Sequence, residues 1–115
     1  MSEDVALAES IKKAGFNFSV RIAELVKYLK VDDKSFPLAE RLLVYGVDVG
    51  FACREIGIDK NEKEAKECLE KADYIIEIAV TGGYLSEVQS VRIRGDCRLL
   101  ADMLEQYNLR EDEVL

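Results

Sequence analysis

Four segments of the chain place apolar residues at alternating intervals of four and three positions, and this spacing limits the fold more than any other feature. In the first segment the repeat runs through Ile11, Gly15, Phe18, Ile22, Leu25 and Leu29. Residues three and four apart share one face of an α-helix, whereas side chains of a strand alternate with a period of two. Strand-like alternation does not occur in the sequence. The pattern predicts helices over about residues 5–31, 37–57, 61–80 and 86–108, followed by an acidic tail over 109–115.

Residues typical of helix ends separate these segments. The only proline, Pro37, fits the first position of the second helix, and Gly57 fits its end. Gly82 and Gly83 interrupt the third helix, and Ser86 is suited to cap the fourth. Long helices joined by short loops lie antiparallel to their neighbours. We therefore expect an all-α fold, a single domain over residues 1–115 that forms an antiparallel up-down-up-down four-helix bundle.

Two helices carry a second stripe beside the one expected to face the core. In the second helix this stripe includes Gly46, Gly50 and Cys53, and such small residues predict a close contact with another helix. In the fourth helix the second stripe is apolar. Its members are Val88, Val91, Gly95, Leu99 and Met103. An apolar face this wide predicts that the fourth helix contacts more than one neighbour.

The composition leaves little room for catalysis. The chain has no histidine, which removes Ser-His and Cys-His catalysis and imidazole metal sites. We therefore predict no catalytic residue, cofactor, metal site or small-molecule substrate. Asp48 has three interpretations, a buried functional acid, a partly exposed helix position, or a salt bridge across a subunit contact. The cysteines at positions 53, 68 and 97 lack metal-binding spacing and are expected to be reduced core thiols in the cytoplasm.

The charge is unevenly distributed along the chain. The net charge of −7 disfavours non-specific binding to nucleic acid or to an anionic membrane, and no apolar run is long enough to span a bilayer. Residues 5–31 and 81–100, in the first and last helices, nevertheless carry a net positive charge. Six of their basic residues form a candidate patch for RNA or a protein partner: Lys12, Lys13, Arg21, Arg92, Arg94 and Arg98. The alternative is an ordinary helix surface with packing or partner contacts.

Three blocks of sequence resemble a known family. They are the segment from Phe16 to Leu29, the turn Tyr84-Leu85-Ser86, and a motif in the second helix. The motif positions are Leu42, Leu43, Gly46, Val49, Gly50 and Glu55. The chain thereby resembles the bacterial four-helix bundle proteins encoded in intervening sequences of 23S ribosomal RNA genes, which are related to accessory proteins of diversity-generating retroelements.

The resemblance implies a four-helix bundle that assembles into a ring-like homo-oligomer, a pentamer, and it implies no enzyme activity. The accessory proteins of the related branch bind nucleic acid and a reverse transcriptase. Together with the wide apolar faces, the resemblance to the four-helix bundle family predicts a non-enzymatic cytoplasmic bundle that self-associates as a scaffold or binding module. The alternative is an RNA- or ribonucleoprotein-binding accessory protein that uses the basic residues of the first and fourth helices.

Overall fold

The computed structural model describes residues 2–31, 35–58 and 61–114, which form four α-helices and, within these ranges, no strand. The helices are α1 (Ser2–Leu29), α2 (Ala39–Arg54), α3 (Asn61–Thr81) and α4 (Glu87–Val114). The main contacts join α1 to α2, α2 to α3, α3 to α4 and α4 back to α1. This closed order confirms the predicted all-α four-helix bundle, in which α2 and α4 occupy diagonal corners and run in the same direction.

The helix bounds differ from the predicted ones at several ends. Pro37 and Leu38 form a turn before α2, so this helix begins two residues later than expected. Gly57 lies beyond the end of α2 and has a φ of 95°, which a glycine adopts at no steric cost. The largest difference is in α4. The segment predicted as an acidic tail is helical through Val114, because no proline or glycine follows Gly95 to end the helix.

The turn between α3 and α4 is held by backbone and side-chain hydrogen bonds. The Gly82 N–H donates to the Ile78 carbonyl at 2.8 Å. Ser86 and Gln89 then form a reciprocal capping box. The Gln89 N–H donates to Ser86 Oγ at 3.0 Å, and the Ser86 N–H donates to Gln89 Oε1 at 2.9 Å. The predicted cap at Ser86 is therefore present.

The predicted core stripes of all four helices face the interior and form one apolar cluster. All four helices contribute to its largest fully buried members, α3 through Ile76. They are Ile11, Phe18, Ile22, Leu42, Val49, Ile76, Leu100 and Leu104. Helix rotation is thereby set, because each buried stripe determines which residues of that helix point to solvent.

The small-residue stripe of α2 packs against α1 within the same chain. Ser19 Oγ donates a hydrogen bond to the Gly46 carbonyl at 2.7 Å, so the α1 side chain directly contacts the α2 backbone. A Cβ added at Gly46 would lie 2.5 Å from Ile22 Cγ2, and one added at Gly15 would lie 2.8 Å from Cys53 Sγ. The glycines thus allow the close approach of α1 and α2, and the stripe is not available to another subunit.

Candidate self-association surface

One face of α4 carries apolar side chains that no other part of the described chain covers. Val88, Val91 and Leu99 are 85%, 67% and 62% exposed. Gly95 lies between them, and a Cβ placed there would have no atom within 4 Å. We call these four residues the α4 stripe. Met103, the fifth member of the predicted stripe, is only partly buried and packs against the edge of the core.

The α4 stripe is exposed because α4 has two apolar faces and the bundle buries only one. Ile93, Cys97 and Leu104 point into the core between α1 and α3. Val91 lies two positions from Ile93, which on a helix is a rotation of about 200°. The neighbour expected for the second face is therefore not supplied by the described part of this chain.

A second exposed face lies on α2 and was not identified from the sequence. Val44 and Phe51 are exposed, Phe51 by 59%. Asp48 and Glu55 continue the same face at intervals of four and three positions. We call these four residues the α2 stripe. The signal was present in the sequence as Val44 and Phe51, seven positions apart and outside both stripes considered for this helix.

The structure divides the six predicted basic residues among different surfaces. Arg94 points towards α3, where its Nε donates to Asp73 Oδ1 at 3.2 Å and its Nη2 donates to Glu77 Oε1 at 3.4 Å. The hydrogen bond to Asp73 raises the pKa of this guanidinium further above its usual range. Arg94 is therefore separated from the basic residues of α1.

Two of the remaining five are also engaged by carboxylates. Arg21 Nη1 donates to Asp96 of α4, and Lys12 Nζ lies 3.4 Å from Glu9 Oε1. The other three make no ion pair with any described residue. They are Lys13, Arg92 and Arg98, all exposed. The predicted patch is thus not one continuous basic surface.

Arg21 and Arg92 do meet in a groove between α1 and α4. This groove has a volume of about 390 Å³, and Glu24 and Asp96 line it as well. Two cations facing two carboxylates leave no net local charge to attract phosphate groups. Arg92 and Arg98 instead flank the α4 stripe, one on each side.

Asp48 is half-buried at the edge of α2 that faces α3. Burial is the main cause that raises the pKa of the Cys68 thiol on α3, and the negative charge of Asp48 contributes as well. The carboxylate of Asp48 makes no ion pair with a described residue. Its position corresponds to the partly exposed interpretation rather than to a buried acid.

The buried cysteine thiols, which were the other candidate groups, serve as packing residues. Burial raises the pKa of the Cys53 and Cys97 thiols to about 12. Within the described residues no group of three or more Cys, Asp or Glu side chains is arranged to hold a metal ion. The same part of the chain contains no helix that is both long and apolar enough to cross a membrane.

The family-motif positions of α2 occupy the interior and the α1 contact. Leu42 and Val49 are fully buried, and Gly46 contacts Ile22. Gly50 faces Ser19, Leu43 is half-buried, and Glu55 follows the last residue of α2 and is exposed. The motif therefore describes how α2 packs, with Glu55 as its only exposed member.

The fold is also found in a solved structure. The chain is similar to a protein of unknown function from the S23 ribosomal protein family of Bacteroides thetaiotaomicron, with a TM-score of 0.84 and 20% sequence identity. The match covers 93% of this chain and 98% of that one. No protein-family model matches the sequence, and no curated protein matches it. The likeness establishes the four-helix bundle.

Proposed function

We propose that this protein is a non-catalytic helical module that self-associates and acts as a scaffold or binding module. The observation that carries the proposal is the α4 stripe, with three apolar side chains more than half exposed along about three helical turns. Contiguous exposed apolar surface of this kind is typical of protein interaction sites, because covering it removes apolar area from water.

The chemistry of the described residues supports a non-catalytic role. The two most buried thiols have pKa values raised to about 12, so at neutral pH they are protonated and poorly nucleophilic. The sequence contains no histidine to activate a nucleophile. Asp73 and Asp96 each form an ion pair with an arginine, which favours a structural role for these two carboxylates.

The finer parts of the proposal are the family and the size of the assembly. We propose that the chain belongs with the proteins encoded in 23S rRNA intervening sequences and forms a ring of five copies. The packing of Leu42, Gly46 and Val49 at motif positions supports this, as does the shared fold with a member of the S23 family. A cytoplasmic location is part of the same proposal.

Native mass spectrometry of the purified protein at low salt tests this function. A multimer of the 13.0 kDa chain without additional mass is the expected result. A single 13.0 kDa species at all accessible concentrations would contradict self-association. Heterogeneous additional mass that a ribonuclease removes would favour the RNA-binding alternative, which ranks second because Lys12, Arg21 and Arg94 already face carboxylates.

A further inference from the structure

We propose that the α4 stripe of one copy docks against the α2 stripe of the next copy. The inference rests on the proposed self-association and adds which two surfaces meet. The contact is then heterologous, since each copy uses one face to reach its neighbour on one side and a different face on the other side.

Charge is the first argument for this pairing. The α4 stripe is flanked by Arg92 and Arg98, and the α2 stripe contains Asp48 and Glu55. None of these four side chains makes an ion pair with a described residue of its own chain. Contact between two α4 stripes would instead bring four arginines together. Opposite charges across an interface favour correct partners, and like charges disfavour wrong ones.

The spacing along the two stripes is the second argument. With the helices parallel and Val44 level with Val88, Asp48 comes level with Arg92 and Phe51 with Gly95. At the same offset, the next residue of the α2 stripe, Glu55, comes level with Leu99, the residue that directly follows Arg98. The largest exposed side chain of α2 thus faces the one position of the α4 stripe that has no side chain and open space above it. This is the size complementarity by which packed helices interdigitate.

The topology of the bundle supplies the third argument. In the up-down-up-down arrangement α2 and α4 run in the same direction at diagonal corners. A rotation about an axis along the bundle preserves helix direction, so α4 of one copy meets α2 of the next in the parallel orientation that the spacing requires. Faces on opposite sides of a subunit generate a closed ring or an open filament rather than a two-fold dimer.

Mixing two variants, each with one of the two stripes disrupted, tests the pairing. Phe51→Asp places a charge in the α2 stripe, and Leu99→Asp does the same in the α4 stripe. We expect each variant alone to be monomeric and an equimolar mixture to form a heterodimer and no larger species. The heterodimer forms because one variant keeps an intact α4 stripe and the other keeps an intact α2 stripe. Tyr74→Asp is the matched control, since Tyr74 is 64% exposed on α3 and belongs to neither stripe.

A charge exchange provides a second test that retains the apolar contacts. Asp48→Arg and Arg92→Asp are each expected to weaken assembly at least about tenfold in Kd, and the chain carrying both is expected to recover most of that loss. Circular dichroism verifies that all variants are folded.

The possible failures are distinguishable. A monomeric wild type overturns the proposed function and the pairing together. An oligomeric wild type whose assembly is unchanged by Phe51→Asp overturns only the pairing and leaves self-association in place. A mixture of the two apolar-stripe variants that stays monomeric also overturns the pairing.

Discussion

Replacing Gly46 by alanine tests whether the contact between α1 and α2 is as close as the structure indicates. The added Cβ would lie 2.5 Å from Ile22 Cγ2, 2.8 Å from Ile22 Cβ and 3.0 Å from Ile22 Cγ1. Ile22 is fully buried and branched at Cβ, so it has few alternative rotamers. Either α1 and α2 move apart or the isoleucine adopts a strained conformation.

The magnitude follows from two opposing effects. Alanine is favoured over glycine in a helix interior by about 1 kcal/mol. Overpacking a well-packed core costs about 1–3 kcal/mol, and three contacts at or below 3.0 Å favour the upper part of that range. We therefore expect Gly46→Ala to lower the free energy of unfolding by about 1–2 kcal/mol.

Gly95→Ala is the matched control, because it makes the same replacement in a helix where a Cβ has no atom within 4 Å. In the monomer only the helix preference then applies, and stability should rise by about 0.5–1 kcal/mol. Urea unfolding followed by circular dichroism measures both variants, at a dilution where both are monomeric. Truncating Ile22 to alanine removes both γ-carbons, so the double variant should lose less stability than the sum of the single ones.

The reasoning would be refuted by a Gly46→Ala protein that is as stable as the Gly95→Ala protein. That result would mean that α1 and α2 separate without cost, and that the small-residue stripe of α2 does not determine their distance. Strict additivity of the Gly46 and Ile22 substitutions would contradict the specific contact between these two residues.

Four further predictions concern thiols, capping and an ion pair. A thiol reagent at neutral pH should modify Cys68 first, and rapid reaction of Cys53 or Cys97 in the folded protein would contradict their burial. Because these two pKa values rise from 9.0 to about 12 on folding, the unfolded chain loses the protons first, so the melting temperature should fall between pH 9 and 12. Ser86→Ala should cost about 1 kcal/mol in thermal or urea unfolding by removing the α4 cap, and an unchanged midpoint would argue against the capping box. Arg94→Gln should cost no more than about 1 kcal/mol, since its carboxylate partners are partly exposed, and the loss should shrink as salt is added.

Much of the fold was predictable because the spacing of apolar residues along each helix agrees with the way the helices pack. The four-three spacing identified the four helices and the stripes that fill the core, such as the one through Ile11, Phe18 and Ile22. Helix ends were less predictable. The predicted end of α4 is too early, because Glu, Asp and Arg do not by themselves end a helix.

The candidate surface was only half predictable. The second stripe of α4 is a regular pattern in the sequence, whereas a sum of charges over a segment contains no information on helix rotation. Arg92 and Arg94 are two positions apart and therefore point about 200° away from one another. One lies beside α1 and the other is paired with α3. Adding charges along a segment cannot detect this separation.

The sequence by itself determined that this chain forms four amphipathic helices with no histidine chemistry, because helical period and composition are local properties. It also determined that α4 has two apolar faces. Only the tertiary structure decided which of these faces is buried, which side of α2 receives α1, and which charges are paired. Those outcomes depend on the rotation of every helix about its axis, and the rotation is set by close packing of the whole core.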